Sequence, residues 1–279
     1  VELWFTEQEQ DHIRVSWKTG NVLFRGQSQY QTVEVIDTKA YGRMLILDGC
    51  VMITEADEFV YHEMIAHIPA VIHKDPKTVV VIGGGDGGTV RELLKHPSIE
   101  RIVLCEIDGM VVDACRQFFP EVACGLDDPR VEVKIGDGVA YMKELDQEID
   151  IAIIDSTDPI GPGEGLFSGD FYKSVARAMK PGGVMVAQSE SPWFTKEMLG
   201  RIHRNISAGF EHRKSYIGAI PTYPRGLWSW TMASNKAFEP AQFDKARFHA
   251  VASGLKYLTP ARVTSVFDLP PFYAEKIGL

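Results

Sequence analysis

The chain has 279 residues, 45% of them hydrophobic and 24% charged, with a formal net charge of −9. That length holds one large domain, or a large one with a small one, and the composition is that of a globular enzyme. No apolar run reaches the length of a membrane span, no Lys/Arg cluster marks a nucleic-acid partner, and the first residues lack the basic-then-apolar order of a secretory signal.

The acidic balance leans toward a cationic ligand, although many cytosolic proteins share it. Cys50, Cys105, Cys115 and Cys124 form no C-x-x-C pair. That spacing argues against a zinc or redox site and fits a reducing, cytoplasmic setting. Cys105, inside an apolar run, reads as a small buried side chain.

In chain order, residues 1–56 read as a small all-β domain. Thr32-Val-Glu-Val-Ile-Asp37 alternates, and Arg43-Met-Leu-Ile-Leu47 and Cys50-Val-Met-Ile-Thr54 flank Asp48-Gly49, a favoured two-residue hairpin turn. Residues 57–67 then read as a helix with acids at its start. From about residue 77, strands at 78–82, 101–107, 130–135, 149–154 and 183–188 alternate with helices at 89–96, 109–118, 139–145, 170–180 and 195–208. This is the pattern of a doubly wound α/β sheet, here a second domain over 57–279. Strands near 212–220 and 227–234, joined by residues 221–226, predict an antiparallel pair ending the sheet. The tail from 236 shows a helical stretch near 241–252.

Residues 83–88 read GGGDGG, between the apolar run Thr78-Val-Val-Val-Ile82 and a helical stretch. Gly83, Gly85 and Gly88 fit G-x-G-x-x-G, a loop that normally cradles a pyrophosphate at a helix N-terminus. Asp86 stands in the middle of it. The next strand ends carry Glu106 and Asp108, then Asp137, then Asp155 and Asp158, with no Lys or Arg among them. An acid at the second strand end often bonds ribose hydroxyls. An acid after the third could hold an adenine amino group or cap the next helix, and Asp158-Pro159 could simply start a turn. Together, acids pointing into one crevice repel one another unless a cationic or hydroxyl-rich ligand sits there. A carboxylate in the glycine loop opposes a pyrophosphate, so NAD and FAD are disfavoured. A phosphate-free, positively charged nucleoside of the S-adenosylmethionine type is favoured. Asp86 repels the carboxylate of S-adenosylmethionine itself and attracts the ammonium end of its decarboxylated form.

Over nearly its whole length the sequence resembles the spermidine synthases, the polyamine aminopropyltransferases. The resemblance rests on Leu47-Asp-Gly49, Asp57-Glu-Phe-Val-Tyr-His-Glu63, Gly83-Gly-Gly-Asp-Gly87, Glu106-Ile-Asp108, Asp155-Ser-Thr-Asp-Pro-Ile-Gly-Pro162 and Ile220-Pro-Thr-Tyr-Pro224. It implies a methyltransferase-like Rossmann domain behind the β domain. It also implies transfer of an aminopropyl group from decarboxylated S-adenosylmethionine, a co-substrate and not a cofactor, to putrescine. Gln31, Glu106, Asp137 and Gly138 would hold the adenosine part. Asp86 would hold the donor's amino end and, with Asp155, border the amine. Tyr61, His62, Asp158 and Tyr223 would line the diamine channel, with Gln188 a weaker candidate for its far end. Asp155 would accept the proton, or orient the amine. Pro162 would lie near the nucleoside on the 157–169 loop, a flexible lid rich in glycine. The family also implies a homodimer or homotetramer.

Other readings compete. H-E-x-x-H zinc binding would need histidine where Ala66 stands. A methyltransferase shares the fold and the ribose acid but not Asp86 or the 155–162 segment, and a catalytically dead nucleoside-binding or polyamine-binding scaffold would not need every acid. Trp228 and Trp230 alternate on one strand face and read as core, with Trp228 the better candidate for a channel wall. Met44 and Met52 read as core, and His67, His73 and His96 as surface or packing residues.

Overall fold

The computed structural model describes residues 2–157, 161–193 and 196–278. Five antiparallel strands come first: β1 (Leu3–Gln10), β2 (Ile13–Gln27), β3 (Thr32–Thr38), β4 (Gly42–Leu47) and β5 (Cys50–Thr54), side by side in chain order. Asp48 and Gly49, with φ of 48° and 84°, turn β4 into β5 with both residues left-handed, as the type I′ hairpin demands. Strand β2 is hard to see in the sequence. Its pairing with β3 is interrupted by bulges, and Val22 on it is 63% exposed, so no period of two survives.

Helix α1 (Glu58–Ile72) follows and runs on through Pro69, past the predicted end at 67. It is buried on almost every side, so its polar residues need internal partners. Glu63 finds three, accepting the backbone N–H groups of Lys256, Tyr257 and Leu258 at 2.6, 2.9 and 2.8 Å. That carboxylate pins the C-terminal tail to the helix.

The second sheet holds β6 (Thr78–Gly83), β7 (Arg101–Glu106), β8 (Val131–Ile135), β9 (Ile149–Asp155), β10 (Met179–Gln188), β11 (His212–Gly218) and β12 (Trp228–Ser234). The order across it is β11-β12-β10-β9-β6-β7-β8. Strands β6 to β10 pair in parallel, and β12 runs antiparallel to both β10 and β11. The predicted antiparallel ending is therefore present. Strand β10 begins at Met179, four residues before the predicted start. Met179 pairs with Ile149, and the ladder then slips before Val184 pairs with Ile151. Pro181-Gly182-Gly183 is thus an irregularity within the strand.

Helices α2 (Gly88–Leu94), α3 (Gly109–Phe118), α4 (Pro120–Ala123), α5 (Gly138–Glu144), α6 (Gly169–Ala178) and α7 (Lys196–Ile206) accompany the sheet, and α8 (Lys245–Val251), α9 (Pro260–Ser265) and α10 (Pro271–Ile277) build the tail. Val79, Val81, Ile151 and Ile153 pack with Ile65 and Ile68 of α1, while Val80, Ile82, Ala152 and Ile154 pack with Phe171 and Val175 of α6. Burial on both faces is why these strands read as unbroken apolar runs. Among the described residues, no helix is long and apolar enough to cross a membrane.

The sheet order locates the site. From β6 the chain winds outward to β7 and β8, then returns to the other side of β6 as β9 and β10. The loops after β6 and β9 diverge at that reversal and leave a crevice beyond the strand ends.

Candidate active site

A cavity of about 980 Å³, part of it open to solvent, fills this crevice. Its lining includes Gln31, Glu106, Asp137 and Gly138 together with Tyr61, His62, Asp86, Asp155 and Tyr223. These residues come from both sheets and from α1. Asp158, and the side chain of Pro162, lie outside the described residues. Gln188 does not reach the cavity lining. It is 1% exposed, donates its amide to the carbonyls of Ser156 and Thr157, and accepts the N–H of Glu190. Its amide braces the loop after β9, where a diamine contact was expected.

The glycine loop holds its own anion. Asp86 Oδ1 accepts the N–H of Gly88 at 2.7 Å, so a carboxylate occupies the helix start that a phosphate takes in dinucleotide folds. Gly88 is needed for a different reason than in those folds. A Cβ there would lie 2.2 Å from the His62 ring, so the third glycine makes room for an imidazole.

That imidazole is the cation missing from the strand-end sequences. His62 is fully buried, with Nδ1 2.5 Å from Glu58 Oε2 and Nε2 3.1 Å from Asp86 Oδ1. Burial alone would lower its pKa, but Asp86 and Glu58 outweigh burial and raise it to about 10. Burial likewise opposes ionisation of Glu58, yet the hydrogen bonds and charges of His62 and Arg91 hold it at about 2. Arg91 grips Glu58 with both terminal nitrogens, at 3.0 and 2.8 Å, and gives its Nε to Glu92 at 2.8 Å. Asp86, despite burial, is kept below the usual carboxylate range by His62. Both ring nitrogens of His62 thus stand against carboxylates, and the residue lines the cavity as a charge. Asp86 Oδ2 accepts no hydrogen bond among the described residues and remains for a ligand.

Asp155 is held differently. Its Oδ1 accepts Tyr61 Oη–H and its Oδ2 accepts Thr89 Oγ1–H, each at 2.6 Å. Burial, and then the charge of Asp86, push its pKa up. Burial and Asp155 also raise Tyr61 well above its ordinary value, so the phenol keeps its proton and donates it. Thr89 has no counterpart among the residues expected from sequence. It sits at the start of α2, and nothing in the sequence tells that its hydroxyl meets a residue 66 positions on.

Glu106 is 8% exposed and accepts the Asp108 N–H at 2.9 Å. Burial outweighs that bond and raises its pKa to about 7, with the like charge of Asp108 adding to the rise. Asp137 Oδ1 caps α5 through the Val139 N–H at 2.8 Å while the residue lines the cavity. The capping and ligand-facing readings are compatible.

Tyr223 is set by the N-terminal sheet. Its hydroxyl donates to the Met52 carbonyl at 2.6 Å, and the neighbouring Thr222 donates N–H and Oγ1–H to Asp57 at 3.0 and 2.7 Å. Met44 is core as expected, but Met52 is half-buried and borders the cavity. Trp228 and Trp230 are both buried. Trp228 stands edge-on behind Tyr223 with ring centres 4.8 Å apart, bracing the wall from the core. His67 and His96 are fully buried and bonded to each other at 2.8 Å, with His67 also 2.8 Å from Glu92.

Residues 58–245 match the spermine/spermidine synthase domain, and residues 3–55 match the spermidine synthase tetramerisation domain. The chain belongs to the spermidine synthase family. Polyamine aminopropyltransferases of Moorella thermoacetica and Thermoanaerobacter sp. strain X514 are each 46% identical to it. The alignments cover 98% of this chain and 95% of the first relative, and 99% and 98% for the second. A crystal structure of a spermidine synthase in complex with the transition state analogue AdoDATO superposes with a TM-score of 0.96 at 40% identity, covering 99% of this chain and 95% of that one. The spermidine synthase of Thermotoga maritima gives 0.93 at 38% identity, covering 99% and 94%. This member of the family is an enzyme, a polyamine aminopropyltransferase with a small N-terminal β domain and a Rossmann-like mixed sheet.

Proposed function

We propose that this enzyme transfers the aminopropyl group of decarboxylated S-adenosylmethionine to putrescine, giving spermidine and 5′-methylthioadenosine. The observation that carries the reading is Asp86. An ionised, half-buried carboxylate fills the phosphate position of the glycine loop and keeps one oxygen for a cationic ligand.

The donor's adenosine lies against Gln31, Glu106, Asp137 and Gly138, and its ammonium against Asp86 Oδ2. The amine nitrogen attacks the aminopropyl carbon bonded to sulfur, a C–N bond forms, and the C–S electron pair returns to sulfur as a neutral thioether. To free the attacking nitrogen, its ammonium first gives one proton to Asp155, and the secondary ammonium that forms leaves still protonated. The sulfonium is already a good leaving group, so the protein chiefly positions the reactants. An alkylamine with a pKa of about 10.4 is almost wholly protonated at neutral pH, so a neutral nucleophile must be made in the site. The raised pKa of Asp155 makes it a stronger base than an exposed aspartate, and the rings of Tyr61 and Tyr223 disfavour charge beside it. Asp158 and Asp86 would hold the ammonium groups that do not react.

Exposed Leu3, Trp4 and Val22 on the first sheet, in the stretch matching the tetramerisation domain, support a homodimer or homotetramer. Four free thiols fit the cytoplasm.

The test supplies S-adenosylmethionine and its decarboxylated form in parallel with putrescine, cadaverine and agmatine, and measures methylthioadenosine release. Turnover is expected only with the decarboxylated donor and fastest with putrescine. Methyl transfer from S-adenosylmethionine, or a faster rate with another amine, overturns the donor or the acceptor assignment respectively.

A further inference from the structure

We propose that Asp108 is a positioning residue for the donor site, turning the Gln31 amide so that its carbonyl oxygen faces the ribose hydroxyls of the nucleoside. The inference rests on the reading of this cavity as a nucleoside site.

Asp108 is 2% exposed and every polar atom of it is used. Oδ2 accepts Ser28 Oγ–H at 2.8 Å and Gln31 Nε2–H at 3.0 Å, while Oδ1 accepts the Met110 N–H at 3.0 Å as the cap of α3. Its own N–H goes to Glu106. A carboxylate only accepts hydrogen bonds, so Gln31 must offer its NH2 to Asp108. Gln31 Oε1 then belongs to a residue of the cavity lining and has no hydrogen bond among the described residues.

The backbone that carries Gln31 is fixed too. Ser28 Oγ accepts the N–H groups of Tyr30 and Gln31 at 3.0 and 3.1 Å, and the Ser28 N–H reaches the Gln31 carbonyl at 2.9 Å. One buried acid therefore sets two acceptors from two different domains, the Glu106 carboxylate through its N–H and the Gln31 carbonyl through its Oδ2. Two acceptors lining one cavity and tied to the same acid match a diol that donates two O–H groups. The arrangement selects a ribonucleoside over its deoxy counterparts, because a site built to accept a hydroxyl is left unpaired when that hydroxyl is missing.

Asp108→Asn tests this. Asparagine caps helices as well as aspartate, so the Met110 bond survives, but its NH2 now meets Gln31 and turns that amide over. The readout is the Kd of 5′-methylthioadenosine and of its 2′-deoxy and 3′-deoxy analogues, by calorimetry on the full chain at about pH 8.5, where Glu106 is ionised. We expect Asp108→Asn to weaken the parent nucleoside about tenfold, the scale of one hydrogen bond. It should not weaken further the analogue lacking the hydroxyl that Gln31 accepts, and in a Gln31→Met background it should add no loss. Equal losses for all three nucleosides, or losses that multiply with Gln31→Met, would mean a merely structural role and overturn the proposal. Should the asparagine variant not fold, Asp108→Ser, which keeps a cap oxygen but cannot reach Gln31, carries the same comparison. If the unsubstituted chain fails to bind methylthioadenosine at all, the nucleoside reading falls and this inference with it. Binding by that chain with Asp108→Asn unchanged overturns this inference alone.

Discussion

Replacing Glu106 by glutamine should make the ligand-free protein more stable, relative to the parent, as pH rises. In the unfolded chain this carboxyl ionises near 4.5, and in the folded protein at about 7. Between those values the folded state keeps a proton that the unfolded state has lost, so raising the pH drains stability; above the upper value the loss is complete. The gap of 4.5 to about 7 corresponds to about 3 kcal/mol, at roughly 1.4 kcal/mol per unit. Glutamine has no such ionisation. It can still accept the Asp108 N–H with its oxygen, but its NH2 faces the Gly85 N–H that also bonds the carboxylate. That mismatch costs about 1–3 kcal/mol and does not vary with pH. The measurable quantity is therefore the change in the stability difference between variant and parent, from about pH 5 to about pH 8. Urea unfolding followed by the fluorescence of the five tryptophans supplies it, at one protein concentration because oligomers gain stability by mass action. The difference should move in favour of glutamine by about 2–3 kcal/mol over that range. A difference that stays flat refutes the burial argument for Glu106. A second readout uses the ligand. Ribose hydroxyls donating to the carboxylate favour its ionised form, so nucleoside binding near pH 6 should release close to one proton, seen as a buffer-dependent binding enthalpy.

Asp155→Asn should lower turnover at least tenfold while leaving the Kd of methylthioadenosine within about twofold; near-normal turnover removes Asp155 from its role. Asp86→Asn should weaken the decarboxylated donor more than methylthioadenosine, which has no ammonium, and equal losses by calorimetry contradict the glycine-loop reading. Glu58→Gln should bring the His62 pKa down from about 10, followed by NMR of the ring. Folded-state stability from the charged His62 is present below its unfolded pKa of 6.5 and lost as pH rises toward 10, so in the variant that loss should still begin near 6.5 but be smaller and end at lower pH. Glu63→Gln removes one of the two oxygens that hold the backbone of residues 256–258; it should cost about 1–3 kcal/mol and raise hydrogen exchange in α8 and α9, and unchanged exchange refutes the pin.

The glycine loop, the strand ends and the Asp48-Gly49 hairpin were legible because each is a local pattern with a local cause. A turn with two left-handed residues selects Asn, Asp or Gly, and a strand buried on both faces must be apolar throughout. The acids of the crevice were legible for the same reason, since the end of a parallel strand can be counted along the chain. Elements without a local pattern were missed. Strands β1 and β2 expose apolar side chains and carry bulges, and the start of β10 hides behind Pro181-Gly182-Gly183. Gln188 stands at a strand end like the others, but its amide is consumed by the backbone of residues 156 and 157.

The sequence by itself determined the two-part architecture, the run of acids facing one crevice and the family to which they belong. It did so because apolar periodicity, turn residues and motif spacing are properties of neighbours along the chain. Only the tertiary structure decided how each acid is charged and held. Asp86 is paired with an imidazole from α1 that is held in turn by Glu58, which Arg91 grips, while Asp155 is bonded by a tyrosine 94 positions away and a threonine 66 away. Burial and through-space partners set a carboxylate's proton affinity, and spacing in a sequence does not encode that geometry.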